Sequence, residues 1–280
     1  MEIAILGVLG LCAGSFVNAL VWRLHEQETH ADRIKTDKNY QKSLSIYVGR
    51  SMCPNCKHEL SVKDLVPLLS WIMLRGKCRY CNKTISYQYP LAEAATSLLF
   101  VVSYLWWPVT LTGSQIAIFA LWLPLLTGLI ALLIYDLRWQ LLPTRIIYTL
   151  TAIAVLQAII KILSSDKPYL ALLNTTLAIF LGGGLFYIIY QVSSGKWIGG
   201  GDVRLGWLLG LIAGTPARSL LVIFIASLCG SLISIPLLTS HRLKRTSIIP
   251  FGPFLIIGMI IVQIFGEGIL TWYNHIFLLS

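Results

Sequence analysis

Long uninterrupted runs of apolar residues constrain the fold of this chain more than any other feature. Of its 280 residues, 56% are hydrophobic and only 12% are charged, which is more apolar surface than a water-soluble core could bury. A helix needs roughly 20 apolar residues to cross about 30 Å of hydrocarbon. The sequence therefore predicts an all-α polytopic membrane protein with about eight transmembrane helices, near residues 3–22, 91–107, 116–135, 146–163, 169–192, 203–214, 217–239 and 252–278.

The basic residues predict how the chain lies in the membrane. The first apolar run has no basic residue before it, so we expect a retained helix rather than a cleaved signal peptide. If residues 23–90 are cytoplasmic, then all 22 lysines and arginines lie on that side except Lys161, Lys167 and Arg218. The net charge of +10 then reflects topology and contact with membrane lipids, and we expect no nucleic-acid binding.

The one long polar segment divides the chain into three parts. Residues 1–23 form the first helix, residues 24–90 form a cytoplasmic loop, and residues 91–280 form a multi-helix membrane domain. The loop contains two C-x2-C pairs separated by residues 57–77. Their four thiols belong to Cys53, Cys56, Cys78 and Cys81.

This cysteine spacing is typical of a metal site. Each two-residue spacer turns both thiolates inward on a tight knuckle, and two knuckles complete the tetrahedral sulfur site that zinc prefers. Iron also accepts four thiolates. Two disulfides are the alternative, but thiols stay reduced in the cytoplasm. Four thiolates leave no open position for water, so we expect a structural rather than a catalytic metal.

Two aspartates stand out because acidic residues are rare after residue 90. Asp136 ends an apolar run, where the negative end of a helix disfavours a carboxylate by up to about 1 kcal/mol. Asp202 follows three glycines and precedes another apolar run. The predicted topology puts both at one membrane face. Two carboxylates a few ångströms apart cannot both ionise, and such a pair shares one proton as an aspartic protease requires.

Each aspartate also has an ordinary structural interpretation. Asp202 could cap the helix that follows it, with the glycines allowing close packing. Asp136 could form a surface ion pair with Arg138 or Arg145. A proton-coupled transporter that uses the two aspartates as a relay is a third possibility. The matched depth of the two carboxylates favours catalysis.

The chain resembles the type IV prepilin leader peptidases, GxGD-type membrane aspartic proteases many of which also N-methylate the processed pilin. The resemblance runs almost end to end. It rests on "GSFVNALVWRL" (14–24), "CPNC" (53–56), "PLLSWIMLRGKCRYC" (67–81), "ISYQYPLAEAATSLL" (85–99), "DLRWQLLPTRI" (136–146), "GGGDVRLGWLLG" (199–210) and "IPFGPFLIIG" (249–258).

The resemblance implies roles for individual residues. Asp136 opens the D-x5-LP pattern and Asp202 closes the GxGD pattern, so these are the implied catalytic pair. Thr144 stands where the family usually has a further aspartate, and Arg204 replaces a usual lysine. Gly76 matches a glycine associated with methyl transfer, which implies binding of S-adenosylmethionine by the loop. The family motif around Gly252 is equally well explained as a helix start shaped by proline and glycine.

The implied substrates are type IV prepilins or pseudopilins, whose basic leader ends in glycine before an apolar helix. The expected location is the bacterial inner or plasma membrane, with the cysteine module and active site toward the cytoplasm. Cutting there avoids moving the charged leader across the membrane. Two rivals to this bifunctional enzyme are a peptidase without methyl transfer and a zinc-anchored scaffold of pilus assembly.

Overall fold

The computed structural model describes residues 1–30, 32, 36–46, 48–239 and 250–277. The basic residues of the segment 240–249 and residue 278 of the last predicted span lie outside this part of the chain. Within it, the helices are α1 (Glu2–Thr29), α2 (Lys38–Ser43), α3 (Leu69–Met73), α4 (Gln88–Leu105), α5 (Ser114–Trp139), α6 (Thr144–Leu163), α7 (Pro168–Ile179), α8 (Leu185–Ser193), α9 (Gly200–Ala213), α10 (Pro216–Thr239) and α11 (Gly252–Phe277). A π-helical turn, Phe180–Gly184, joins α7 to α8.

The all-α polytopic prediction is confirmed, but the number of eight spans is not. Six helical stretches of the described chain are long and apolar enough to cross a membrane: Glu2–Thr29, Ser114–Trp139, Thr144–Leu163, Pro168–Ser193, Pro216–Pro236 and Gly252–Ile276. The predicted spans 91–107 and 203–214 correspond to α4 and α9, which are not among them. With 14 residues, α9 is only about 21 Å long, less than the thickness of the hydrocarbon.

The chain divides into two compact units, residues 1–105 and 106–280. In the first unit, α4 packs along α1. A Cβ atom on Gly10 or Gly14 of α1 would lie 2.5 Å from the Ser97 Cα or 2.6 Å from the Glu93 Cα. Glycines four residues apart therefore let the two backbones approach closely, as in membrane helix pairs. Because α4 packs on α1, the residues 91–105 belong to the first unit.

The buried Arg23 of α1 organises the beginning of the polar loop. Its guanidinium donates hydrogen bonds to the carbonyl oxygens of Ser45 at 3.0 Å and Gly49 at 2.8 Å. Three residues further along α1, Glu26 accepts hydrogen bonds from Lys57 at 2.7 Å and from the Tyr40 hydroxyl at 3.1 Å. A charged donor and a charged acceptor at the end of one helix thus fix a loop that has little periodicity of its own.

The short helix α9 forms the centre of the second unit. It contacts α6, α7, the π-helical turn, α8, α10 and α11. Most of its side chains are buried, and Arg204 is its one exposed residue. A helix enclosed by other helices does not need to match the bilayer thickness, so α9 can be shorter than a membrane span. Its buried side chains are apolar like those of a span, and the sequence therefore predicted one here.

Glycines make this central position possible. A Cβ atom on Gly206 would lie 2.6 Å from the carbonyl oxygen of Gly182, and one on Gly210 would lie 2.6 Å from that of Ala178. Gly182 belongs to the π-helical turn, whose wider backbone faces α9. Any side chain at Gly206 or Gly210 would push the central helix away from its neighbours.

Candidate active site and candidate metal centre

Asp136 is buried at the end of α5. Asp136 is 4% exposed. Gln140 adopts a left-handed conformation with φ of 54° and ends the helix, and its backbone N–H donates to the Asp136 carbonyl at 2.8 Å. The chain then turns through Leu142 and Pro143 into α6. The D-x5-LP pattern is thus a helix end, a turn and a helix start, which hold the carboxylate at one end of the second unit.

Asp202 lies in the first turn of α9, where the positive end of the helix favours a carboxylate. Gly199 occupies the N-cap position, and no side chain caps the helix. The interpretation of Asp202 as an N-cap is therefore wrong. Its backbone N–H donates to the Gly199 carbonyl at 3.1 Å, and its side chain is half-buried.

The two carboxylates converge at Gly252, the first residue of α11. A Cβ atom placed on Gly252 would lie 2.3 Å from Asp136 Oδ2 and 3.4 Å from Asp202 Oδ1. Three separate helices therefore meet at one point, and the absence of a side chain on Gly252 keeps the space between the acids open. Sequence reasoning treated this glycine as part of a helix start and missed its position; the only signal was its place in the "PFGPF" motif.

The segments that carry the two aspartates also touch each other directly. A Cβ atom on Gly201 would lie 3.2 Å from the Cβ of Leu142. The glycine that precedes Asp202 therefore packs against the leucine of the D-x5-LP motif. Arg204 donates a hydrogen bond to the Thr144 hydroxyl. Thr144 and Arg204, the two positions at which the sequence differs from the resembled family pattern, therefore contact each other. The Arg204 guanidinium donates to a neutral hydroxyl at the position where that pattern has an aspartate.

No cation neutralises the pair among the described residues. None of the salt bridges between them involves Asp136 or Asp202, so the structure does not support the surface ion pair proposed for Asp136. A buried and a half-buried carboxylate that lie close together repel each other unless one of them holds a proton. This arrangement can activate a water molecule with one carboxylate and donate a proton with the other.

The four cysteines of the first unit come together as the sequence predicts. Their sulfur atoms all lie within 4.8 Å of one another, and Cys53 Sγ is 3.9 Å from Cys81 Sγ, far longer than a disulfide of about 2.05 Å. All four are free thiols. Sulfur atoms at these separations can surround one tetrahedral metal ion, so the donor set fits zinc or iron.

The two knuckles have the same backbone hydrogen bonds. In the first, the N–H of Cys53 donates to the His58 carbonyl at 3.0 Å and that of Lys57 donates to the Cys53 carbonyl at 2.9 Å. In the second, Cys78 and Asn82 repeat this pattern with the carbonyls of Lys83 and Cys78, both at 2.9 Å. Lys57 and Asn82 both adopt left-handed φ values, of 58° and 56°. The two C-x2-C segments therefore form the same type of turn.

Side chains join the knuckles to the segment between them. Asp64 accepts hydrogen bonds from Arg79 Nε at 2.7 Å and from the Tyr80 hydroxyl at 3.2 Å. Burial raises the pKa of Asp64, but the hydrogen bonds from Arg79, Ser61 and Tyr80 outweigh it and leave the pKa below its usual value. The His58 ring stacks on Tyr80 with centroids 3.7 Å apart.

The Cys81 thiol lies among the three other thiols of the cluster. A hydrogen bond from the Lys83 backbone lowers its pKa, but burial and the three neighbouring thiols raise the pKa to about 11. A divalent metal ion would reverse this effect, since coordinated thiols lose their protons. The four thiols, which lie within 4.8 Å of one another, are therefore compatible with one bound metal ion.

Gly76 has a structural reason to be glycine. Its φ is 68°, and a Cβ atom there would lie 3.0 Å from the Trp71 ring. The Gly76 carbonyl accepts a hydrogen bond from the Ile85 N–H at 2.7 Å, and Trp71 Nε1 donates to the Ile85 carbonyl at 3.3 Å. The side on which a side chain would project is filled by Trp71, so the geometry does not form an open cradle for S-adenosylmethionine at this atom.

These features define a class of protein: a multi-pass helical membrane protein with a four-cysteine cluster that could hold a metal ion and with two facing carboxylates. Comparison with known proteins is consistent with that class. The family model for the bacterial peptidase A24 N-terminal domain matches residues 8–107, and the model for the type IV leader peptidase family matches residues 123–235. No solved structure matches the chain.

Curated relatives cover nearly the whole chain. A type 4 prepilin-like proteins leader peptide-processing enzyme of Escherichia coli O78:H11 is 33% identical over 259 residues, 89% of this chain and 88% of that protein. Prepilin leader peptidase/N-methyltransferases of Legionella pneumophila and Bacillus subtilis are each 29% identical, over 96% and 82% of this chain and 93% and 87% of theirs. The chain therefore belongs to the type IV leader peptidase family.

Proposed function

We propose that this protein is an aspartic endopeptidase that removes the leader peptide of type IV prepilins or pseudopilins at the cytoplasmic face of the bacterial inner membrane. The observation that carries the proposal is the convergence of Asp136 and Asp202 on Gly252. The names of the relatives, which are leader peptidases, support the substrate class. The orientation follows from the basic residues, which keep the active site on the side of the charged leader.

The proposed mechanism uses one ionised and one protonated carboxyl group. The ionised carboxylate takes a proton from a water molecule, whose oxygen attacks the scissile carbonyl carbon, while the protonated carboxyl donates a hydrogen bond and then its proton to the carbonyl oxygen. When the C–N bond breaks, the amine leaves with a proton from the carboxyl group that accepted one from water. The other carboxylate takes a proton from a hydroxyl group of the intermediate as the C=O bond re-forms, which restores the starting pair. The space above Gly252 is where the scissile peptide and the water would lie.

Leader cleavage by Asp136→Asn and Asp202→Asn tests this proposal. Each change removes one carboxylate while retaining its size, so we expect each to abolish cleavage of a cognate prepilin while the protein still accumulates in membranes. Asp166→Asn, at an exposed acid in the turn between α6 and α7, is the matched control and should cleave normally. Normal cleavage by both active-site variants would remove these aspartates from the mechanism.

We also propose that the loop 24–90 supports methylation of the new N-terminus and that the membrane segment 91–280 carries proteolysis. S-adenosylmethionine would supply the methyl group. The names of the relatives support this second activity. Cys53, Cys56, Cys78 and Cys81 would hold one structural zinc ion, and Gly76 would contribute indirectly, by allowing Trp71 to pack beside the second knuckle.

Mass analysis of the cleaved pilin tests methyl transfer separately. The N-terminal residue of the product should carry the mass of one added methyl group when S-adenosylmethionine is present. Metal analysis of the purified protein distinguishes zinc from iron. An unmethylated product from an active, metal-loaded peptidase would contradict the methyltransferase proposal and leave the peptidase proposal intact.

A further inference from the structure

A cavity of about 500 Å³ opens in the second unit at the end of α9 that is remote from Asp202. It lies where α6 ends, α7 begins, α9 ends and α10 begins. Asp202 and Ala213 lie 11 residues apart on α9, so roughly 16 Å of helix separates this cavity from the carboxylate pair. Its volume lies within the range of about 300–1,000 Å³ that is usual for small-molecule sites.

The cavity is lined by the three cations that the predicted topology places on the non-cytoplasmic side of the membrane. Lys161, Lys167 and Arg218 all line it, and they are the only lysines or arginines of the sequence that the predicted topology places on that side. Opposing them, Asp166 is the one carboxylate in the lining. Three cations in one cavity, at the face where basic residues are otherwise avoided, indicate a role beyond topology.

Arg218 is buried without a full set of acceptors. The residue is 9% exposed, and Nε has no hydrogen-bond partner within the described part of the chain. Nη2 donates to the Val262 carbonyl at 3.3 Å, whereas Glu267 Oε1, on a side chain that is 60% exposed, is 3.9 Å from Nε and too distant for a hydrogen bond. A buried guanidinium with an unused donor is costly unless a ligand accepts from it.

Lys161 and two helix ends add to the positive potential. The half-buried Lys161 ammonium makes one long hydrogen bond, of 3.4 Å, to the Ile212 carbonyl, and it lies near enough to Arg218 for mutual repulsion. The first turns of α7, after Lys167, and of α10, after Thr215, both face the cavity. Both helices begin with proline, and the Arg218 N–H donates to Thr215 Oγ1 at 3.4 Å, so these helix ends contribute mainly a partial positive charge that favours an anion.

We propose that this cavity binds an anionic phosphate group at the membrane face opposite the active site, through Arg218, Lys161 and Lys167. The phosphate belongs to the headgroup of an anionic phospholipid or to a free phosphate ion. Both would accept hydrogen bonds from the Arg218 guanidinium, which pairs well with phosphate oxygens. The position at the end of several membrane helices allows a lipid headgroup to enter while its chains stay in the bilayer. The observations that support this site do not depend on the proposed peptidase activity.

Lipid binding by the full-length protein tests the proposal. The protein is purified in detergent, stripped of lipid and titrated with phosphatidylglycerol, with phosphatidylcholine or with inorganic phosphate, and both thermal stability and bound phosphorus are measured. We expect phosphatidylglycerol to raise the melting temperature and to remain bound at about one molecule per chain, and phosphatidylcholine to do neither. Stabilisation by inorganic phosphate alone identifies a free phosphate as the ligand. No response to either anion overturns the proposal.

Variants locate the binding within the molecule. Arg218→Gln and Lys161→Gln should each weaken phosphatidylglycerol binding by about tenfold, a loss of one charge-assisted interaction. Arg138→Gln removes an exposed cation at the opposite end of the unit and should leave the affinity unchanged. If Arg218→Gln does not fold, Lys167→Gln, at an exposed position, serves in its place with a smaller expected loss. Equal losses in all variants, including Arg138→Gln, would show a non-specific charge effect and contradict the site.

Discussion

Replacing Gly252 by alanine tests whether the space between the two carboxylates is needed for activity. The added methyl group would lie 2.3 Å from Asp136 Oδ2, and carbon and oxygen atoms do not approach closer than 3.0 Å in such contacts. The Asp136 carboxylate or the start of α11 must therefore move by roughly 1 Å. A misplacement of that size can reduce the rate by about 100-fold, which equals roughly 2.7 kcal/mol of transition-state stabilisation.

The backbone itself does not oppose this substitution. Gly252 begins a helix and has no left-handed φ, and alanine is the better helix former by up to about 1 kcal/mol. We therefore expect Gly252→Ala to accumulate and melt like the wild-type protein while kcat/KM for leader cleavage falls by about 100-fold. The effect should appear mainly in kcat, because the carboxylates act in the chemical step.

Gly268→Ala is the matched control on the same helix. A Cβ atom on Gly268 would meet nothing within 4 Å, so this variant should cleave at the wild-type rate. Cleavage within about threefold of wild type by Gly252→Ala, measured with the same prepilin in detergent or proteoliposomes, would refute the reasoning. It would mean that the position of Asp136 relative to Gly252 does not determine catalysis.

The cysteine module yields two further predictions. Removal of the metal with a chelator, or Cys53→Ser, should unfold the module and expose residues 51–86 to protease. Cys229→Ser on α10 is the control and should not have this effect. Unchanged resistance of these residues to protease after verified loss of the metal would contradict a structural metal. Asp64→Asn should lower the melting temperature of the module at neutral pH, since the variant loses its ionic bond to Arg79. Because the pKa of Asp64 is lowered in the folded state, its contribution to stability is present above the ordinary carboxyl pKa and is lost as the pH falls through the folded pKa. Thermal melts across that range should show that the difference in melting temperature between the wild type and Asp64→Asn becomes smaller as the pH falls. A constant difference would contradict this origin.

Local patterns predicted the parts of the site that depend on local geometry. The spacing of Cys53, Cys56, Cys78 and Cys81 was sufficient because a C-x2-C turn forms from its own backbone hydrogen bonds, whatever surrounds it. The rarity of acidic residues in apolar runs was sufficient to select Asp136 and Asp202, because a carboxylate in such a position is costly without a role. These predictions needed no knowledge of which helices are neighbours.

Features that depend on helix neighbours could not be predicted in this way. The apolar run of α9 carries no mark that distinguishes a helix enclosed by protein from a short helix in lipid, because both surroundings favour the same side chains. Gly252 lies 50 residues after Asp202 in the sequence, and only the fold shows that a methyl group there would meet Asp136. The contact between Arg204 and Thr144 was hidden for the same reason.

The position of α9 links the two ends of the second unit. Its N-terminal turn carries Asp202, and its C-terminal carbonyl at Ile212 accepts a hydrogen bond from Lys161. Gly206 and Gly210 hold it against backbone atoms, so it cannot shift along its axis without losing those contacts. A ligand that draws Lys161 or Arg218 would therefore act on the same rigid helix that positions Asp202. The effect of phosphatidylglycerol on leader cleavage should therefore disappear in Lys161→Gln, measured against the rate of that variant without the lipid.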